Sequence, residues 1–392
     1  MLTDGVALTD QHCHGVVTAD LDRARFEQLL GEGPRGTFDS TLGTAVRRFC
    51  APVLDLPPHA GADEYLRRRA ELGWHEVSSR LLRGTGVTRW LVDTGFGPEP
   101  GHPAERMRSR TAHMATDPAL TAGSQRSARL TEFGALAGGT VDEVVRLEQV
   151  AEHVIAENGY SATIFADIEN ALRERARHAV GLKTIIAYRC GLDFPLLYAP
   201  PAEPPSETRL TDPRLLGWLV GLGARIGAEL GLPLQFHVGF GDPDLRLHRA
   251  DPLLLTDFLR ATADTGATVV LLHCWPFHRN ASYLAHIFEH VRMDLGLAIP
   301  HVGLRAGAVL AEALELAPFR ALCYSSDGYG LPELHYLGAL LWRRGLGRLL
   351  DEWIADDAIT TADAEALVRA IASDNAAQIY PHSHSTEITG TP

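Results

Sequence analysis

The chain lacks the features that mark several protein classes. Its 392 residues include five cysteines, Cys13, Cys50, Cys190, Cys274 and Cys323, with no C-x-x-C pair. An odd count without paired spacing argues against a disulfide scaffold and points to reduced core thiols in a cytoplasmic protein. No apolar run reaches the roughly 20 residues that span a bilayer. No basic segment leads into an apolar one at the N-terminus, so secretion is not expected. Positive charge is scarce as well, and the formal net charge is −13. Nucleic-acid binding shows as clustered Lys and Arg. The densest such run, Arg67 to Arg69, falls in a helical pattern and is read as a solvated helix face. There is no internal repeat. A small-molecule substrate is therefore the expected partner, on a chain that could also form a homodimer.

What is present is alternation. Short β-branched or Leu-rich runs bounded by Gly, Pro or Asp occur near residues 7–14, 88–94, 143–150, 180–188, 232–238, 268–273, 291–295 and 321–327. Buried parallel strands look like this. Helical patterns separate most of them, at 147–158 (overlapping the third strand), 168–178, 213–230, 252–265, 282–290 and 307–316, with a last one at 362–379. Strand–helix alternation implies right-handed βαβ units, and eight strands favour a closed (β/α)₈ barrel over an open sheet. One barrel domain over 1–380 is expected, with insertions at about 15–87 and 98–139 and a polar tail at 381–392. The first insertion has helical patterns at 62–72 and 75–82. The second is rich in Gly, Pro, Ser, Thr and Arg, and parts of it are expected to order only around substrate.

Six residues at or near strand ends could converge on a metal: His12, His14, Lys183, His237, His273 and Asp327. In Asp10-Gln11-His12-Cys13-His14 the two imidazoles are two residues apart, so both project to one face of a strand. Neutral imidazoles suit Zn²⁺ or another borderline divalent ion. His237 ends Leu234-Gln235-Phe236-His237, and His273 ends Val270-Leu271-Leu272-His273. Asp327, in Tyr324-Ser325-Ser326-Asp327-Gly328, reads equally as a helix cap or Asx turn, but its place at the eighth strand makes it the carboxylate to bind metal and take a proton. Lys183 lies inside an apolar strand, where an unpaired ammonium is costly. It either reaches solvent at a strand edge or reacts with CO₂ to give an anionic carbamate that bridges two metals.

This ordered set resembles the amidohydrolase superfamily. The segment Gly181-Leu182-Lys183-Thr184-Ile185-Ile186-Ala187-Tyr188-Arg189 resembles the carboxylated-lysine strand of hydantoinases. The motifs His237-Val238-Gly239-Phe240-Gly241-Asp242, His273-Cys274-Trp275-Pro276-Phe277 and Leu316-Ala317-Pro318-Phe319 resemble the amidohydrolase domain fused to glutamine-synthetase-like proteins in fungi and plants. The resemblance implies that His12, His14 and Asp327 hold the more buried metal and His237 and His273 a second, with carboxylated Lys183 bridging. A metal-bound hydroxide would attack an amide carbonyl, with Asp327 as general base and then acid. The γ-glutamyl amides and other N-acyl compounds are the implied substrates. Without carboxylation, one metal on His12, His14, His237 and Asp327 remains, and His273 takes a supporting or oxyanion role.

Arg189, six residues beyond Lys183, is expected on the same strand face and could pair with a substrate carboxylate. Tyr188 could donate to an oxyanion, and Glu148 could bind an ammonium group or pair with Arg146 or Arg189. Asp93, Asp242 and Arg279 are weaker candidates. The alternatives are one-metal decarboxylation and a catalytically silent metal-binding scaffold. Purine-type deamination fits less well, because Phe240 stands where those enzymes resemble a catalytic Glu.

Overall fold

Among the described residues, seven short parallel strands form one sheet in sequence order. They are β1 (Leu8–Cys13), β2 (Val87–Asp93), β3 (Thr140–Arg146), β4 (Gly181–Thr184), β5 (Leu234–Val238), β6 (Val269–His273) and β7 (Val291–Met293). The structure, a computed structural model, describes residues 1–35, 37–95, 123–203 and 206–381. The eighth segment closes the barrel through single bonds rather than a continuous ladder. Cys323 N donates to Met293 O of β7 at 2.9 Å, while Gln11 N of β1 donates to Tyr324 O at 3.2 Å and Asp327 N to His12 O at 3.0 Å. The result is a TIM-type barrel whose last stave is extended but irregular.

Alternation along the strands sorts side chains into two cores. Leu91, Val144, Val180, Val270 and Leu272 fill the inside with Tyr380. Trp90, Val92, Val145, Leu182, Phe236 and Leu271 face the surrounding helices. The helix Pro213–Leu230 illustrates how local sequence sets the boundaries. Asp212 caps it by accepting from Arg214 N and Leu215 N, Pro213 fits the first turn, and Gly231 ends it at φ 68°.

Several boundaries differ from the sequence expectations. β3 ends at Arg146 and the helix Leu147–Asn158 begins at once, so Glu148 lies in a first helical turn and not on a strand. β4 ends at Thr184, and Ile186–Arg189 is a single helical turn. Strand parity therefore does not carry from Lys183 to Arg189. The helical patterns at 62–72 and 75–82 merge into Ala62–Arg83, kinked at Gly73 with φ 77°. Arg69 is buried, against the solvated-face reading, and its Nε meets Glu333 Oε1 at 2.8 Å. Within the second insertion Gly123–Ala137 is helical; the expected ordering around substrate concerns mainly 98–122, which lie outside the described residues.

Candidate metal centre

Five of the six candidate ligands meet at the C-terminal end of the barrel, and His237 packs against them. His12 Nε2 lies 3.1 Å and His14 Nε2 3.4 Å from Asp327 Oδ1, while His273 Nε2 lies 3.5 Å from Asp327 Oδ2. The His237 ring sits 4.6 Å from His273, centre to centre. Lys183 Nζ is 2.8 Å from His12 Nε2. Two triads, His12 with His14 and Asp93 and His12 with His273 and Asp327, bring ligand atoms within 4.8 Å of one another.

Backbone geometry aims these groups. Leu272 faces the barrel interior, so simple alternation would send His273 outward. Left-handed backbone at His273 (φ 69°) and Cys274 (φ 57°) breaks that alternation, and Asp327 also lies at positive φ, 48°. Such conformations cost energy in non-glycine residues and persist where the surroundings enforce them. Asp294 accepts from His273 N at 2.6 Å and Gly296 N at 3.1 Å. Asp10 accepts from Ser326 N at 2.9 Å and from Ser326 Oγ, clamping the residue before Asp327. Glycine is required beside the rings, since a Cβ on Gly241 would stand 2.1 Å from Tyr188 Oη.

The electrostatics keep the His12, His237 and His273 rings neutral and the Asp327 carboxylate charged. Burial pushes His12 down to about 4 and His237 to about 3, and drives His273 well below the ordinary imidazole range. Burial alone would raise Asp327, but His273 and the bonds from His12 and His14 hold it well below the usual carboxylate range. Neutral imidazole with ionised carboxylate is the donor state that divalent metals take. The His14 Nδ1 and His237 Nε2 atoms face backbone oxygens of Asp93 (3.2 Å) and Phe240 (3.1 Å), leaving the opposite nitrogen of each ring with its lone pair. Both ring nitrogens of His273 are buried without a hydrogen-bond partner among the described residues, while Asp327 Oδ1 faces the His12 and His14 ring nitrogens. A buried imidazole without a hydrogen-bond partner, beside an ionised carboxylate and two further imidazoles, is a donor set that fits a divalent cation.

Asp93, a weaker candidate in the sequence, belongs to this centre. Its Oδ2 meets Arg146 Nη2 at 2.7 Å and Lys183 Nζ at 3.3 Å. Burial lowers the Lys183 pKa, and Asp93 partly offsets it. One compositional signal could have singled out Lys183 earlier. Of 36 Lys and Arg residues it is the chain's sole lysine. Arginine serves every other cationic position, so this one calls for a primary amine.

The other candidates separate. The Tyr188 ring lies 4.5 Å from that of His237, centre to centre, tilted by 55°. Glu148 accepts from Thr184 Oγ1 and from Ile185 N at 3.0 Å, and thus pins the end of β4. Arg189 meets Glu152 at 3.1 Å. Asp242 forms an Asx turn with Asp244 N at 2.9 Å. Arg279 is exposed and pairs with Glu315 at 2.8 Å, away from the centre. Gln11, Gln235, Asp10, Asp294 and Ser326 support the ligands but carried no signal in one sequence, because their partners are hundreds of residues away.

A family model for amidohydrolases matches residues 128–382. Protein fluG of Emericella nidulans is 30% identical over 241 residues, 56% of this chain but only 27% of the fungal protein, so the chain spans about a quarter of that relative. The match agrees with the resemblance carried by the His237, His273 and Leu316 motifs. Among solved structures, a Lactobacillus casei protein assigned as a metal-dependent hydrolase aligns with a TM-score of 0.79 and 26% identity over 96% of both chains. The uronate isomerase of Thermotoga maritima, at a TM-score of 0.60 and 14% identity over 97% of this chain and 96% of its own, shares the fold. No described helix is long and apolar enough to cross a membrane. With the family model taking in more than half of its residues, the chain belongs to the amidohydrolase family.

Proposed function

We propose that this protein is a metal-dependent hydrolase of an amide C–N bond in a small, amino-acid-like substrate, a γ-glutamyl or other N-acyl amide. The observation that carries the reading is the convergence of His12, His14 and His273 on ionised Asp327, with His237 packed against His273 and both His273 nitrogens without a hydrogen-bond partner among the described residues. A bound divalent ion, Zn²⁺ in this reading, would polarise the carbonyl and acidify a water. Asp327 takes a proton and returns it to the departing nitrogen. Tyr188 lies beside His237, where its hydroxyl can donate to a developing oxyanion. Glu148 holds the end of the β4 strand that carries Lys183, and Arg189, paired with Glu152, ends the helical turn that carries Tyr188.

A cavity of about 620 Å³ supports the substrate class. Its lining includes Glu32, Arg35, Phe240, Gly241, Asp242 and His301. Phe240 and Gly241 also form the wall against His237 and Tyr188. A guanidinium with two carboxylates suits a zwitterionic amino-acid head next to the reacting bond.

Lys183 separates two versions of the chemistry. As the chain's sole lysine it supports a carbamate bridging two ions. Its 3.3 Å approach to Asp93 supports an unmodified ammonium and a one-metal site, which favours non-hydrolytic chemistry such as decarboxylation. The test compares metal-stripped and metal-reloaded protein on γ-glutamyl amides, N-acyl amino acids, lactams and small carboxylic acids. Metal-dependent amine release supports hydrolysis. Metal-dependent CO₂ release moves the one-metal reading to the front, and tight metal binding without turnover of any compound leaves a silent scaffold.

A further inference from the structure

Beneath the metal centre, a buried hydrogen-bond chain on the barrel floor runs from the His12 ring to the backbone of His273. Gln235, on β5, spends both amide protons there: Nε2 donates to Gln11 O at 2.9 Å and to Tyr380 Oη at 2.8 Å. Its Oε1 is thereby turned to His12 Nδ1, 2.9 Å away. A carboxamide oxygen only accepts, so the proton of neutral His12 sits on Nδ1 and the Nε2 lone pair faces Asp327 and Lys183. Having accepted from Gln235, Tyr380 Oη donates to Gln11 Oε1. Gln11 Nε2 then points to Asp294, which accepts from His273 N. All of these side chains are buried, and Tyr380 comes from the chain's C-terminal region to plug the barrel interior.

We infer that Gln235, anchored by Tyr380, is a positioning residue that fixes the His12 tautomer and so presents Nε2 to the metal. The inference rests on the metal-centre reading for its consequence, but the tautomer itself belongs to the apo-protein. Partners of this kind typically change metal affinity 10- to 100-fold when removed.

The experiment follows the His12 Nδ1 proton by nuclear magnetic resonance in apo-protein and measures Zn²⁺ affinity by chelator competition. Parent protein is expected to show a protected, downfield Nδ1 proton. Gln235→Leu should lose that signal and bind Zn²⁺ roughly 10- to 100-fold more weakly. Gln235→Glu, which keeps an acceptor, should restore both. Tyr380→Phe should give a smaller shift in the same direction. Tyr324→Phe, altering a buried hydroxyl without a described partner, should change neither. An unchanged proton signal and Zn²⁺ affinity in Gln235→Leu would overturn the inference. If the parent shows the protected proton but binds no Zn²⁺, the metal-centre reading fails and the tautomer assignment stands.

Discussion

Two buried ionic clusters in this molecule resemble each other in composition and differ in balance. In the first, Arg69 meets Glu333 at 2.8 Å and Tyr65 Oη donates to the same oxygen at 2.8 Å. It ties the helix Ala62–Arg83 to the helix Pro332–Ala355, one cation answering one anion. In the second, Asp93 faces both Arg146 and Lys183, while three imidazoles crowd the Asp327 carboxylate and the His273 nitrogens have no hydrogen-bond partner among the described residues. Removing charge from water costs several kcal/mol per ion unless partners replace the solvent. The first cluster satisfies itself and serves the fold. The second gathers several metal-ligating donors around one carboxylate, which is how a donor set suited to a cation differs from a structural ion pair.

The comparison is broken most forcefully at Glu333. Glu333→Ala leaves Arg69 buried and unpaired and should cost about 3–5 kcal/mol of stability, read by urea denaturation. Metal content of the folded fraction should stay at the parent level. Asp327→Asn should do the reverse. It keeps the shape, removes the anion that His12, His14 and His273 face, and should lower turnover roughly 10²- to 10⁴-fold with little change in the denaturation midpoint. Lys183→Arg sharpens the contrast further. It preserves a cation beside Asp93 but cannot form a carbamate, so bound metal should fall from about two equivalents to about one, measured by elemental analysis. The smallest effect belongs to Arg279→Ala, an exposed pair with Glu315, which should leave metal content and melting temperature unchanged.

Much of the barrel was legible in the sequence because its strands are short apolar runs separated by helical periodicity. The ligand candidates were legible for the same reason, as each ends or interrupts such a run. Legibility failed where tertiary packing decides. Val145-Arg146-Leu147-Glu148 reads as one strand, yet the chain turns helical at Leu147, where the backbone leaves the β3–β4 ladder. Arg69 reads as one of three solvated arginines; only the approach of Glu333, 264 residues away, reveals its burial. The residues behind the ligands, Gln235 above all, look like ordinary strand polar positions until the floor of the barrel is assembled.

The most direct test of the central claim exploits the single lysine. Protein reloaded with Zn²⁺ in ¹³C-bicarbonate would be examined for metal stoichiometry and for a carbamate carbon resonance, beside Lys183→Arg. The account predicts about two ions per chain and one carbamate signal, both diminished in the variant. One ion per chain with no carbamate signal would contradict the bridge, and reloaded parent protein that retains no metal would contradict the metal centre itself.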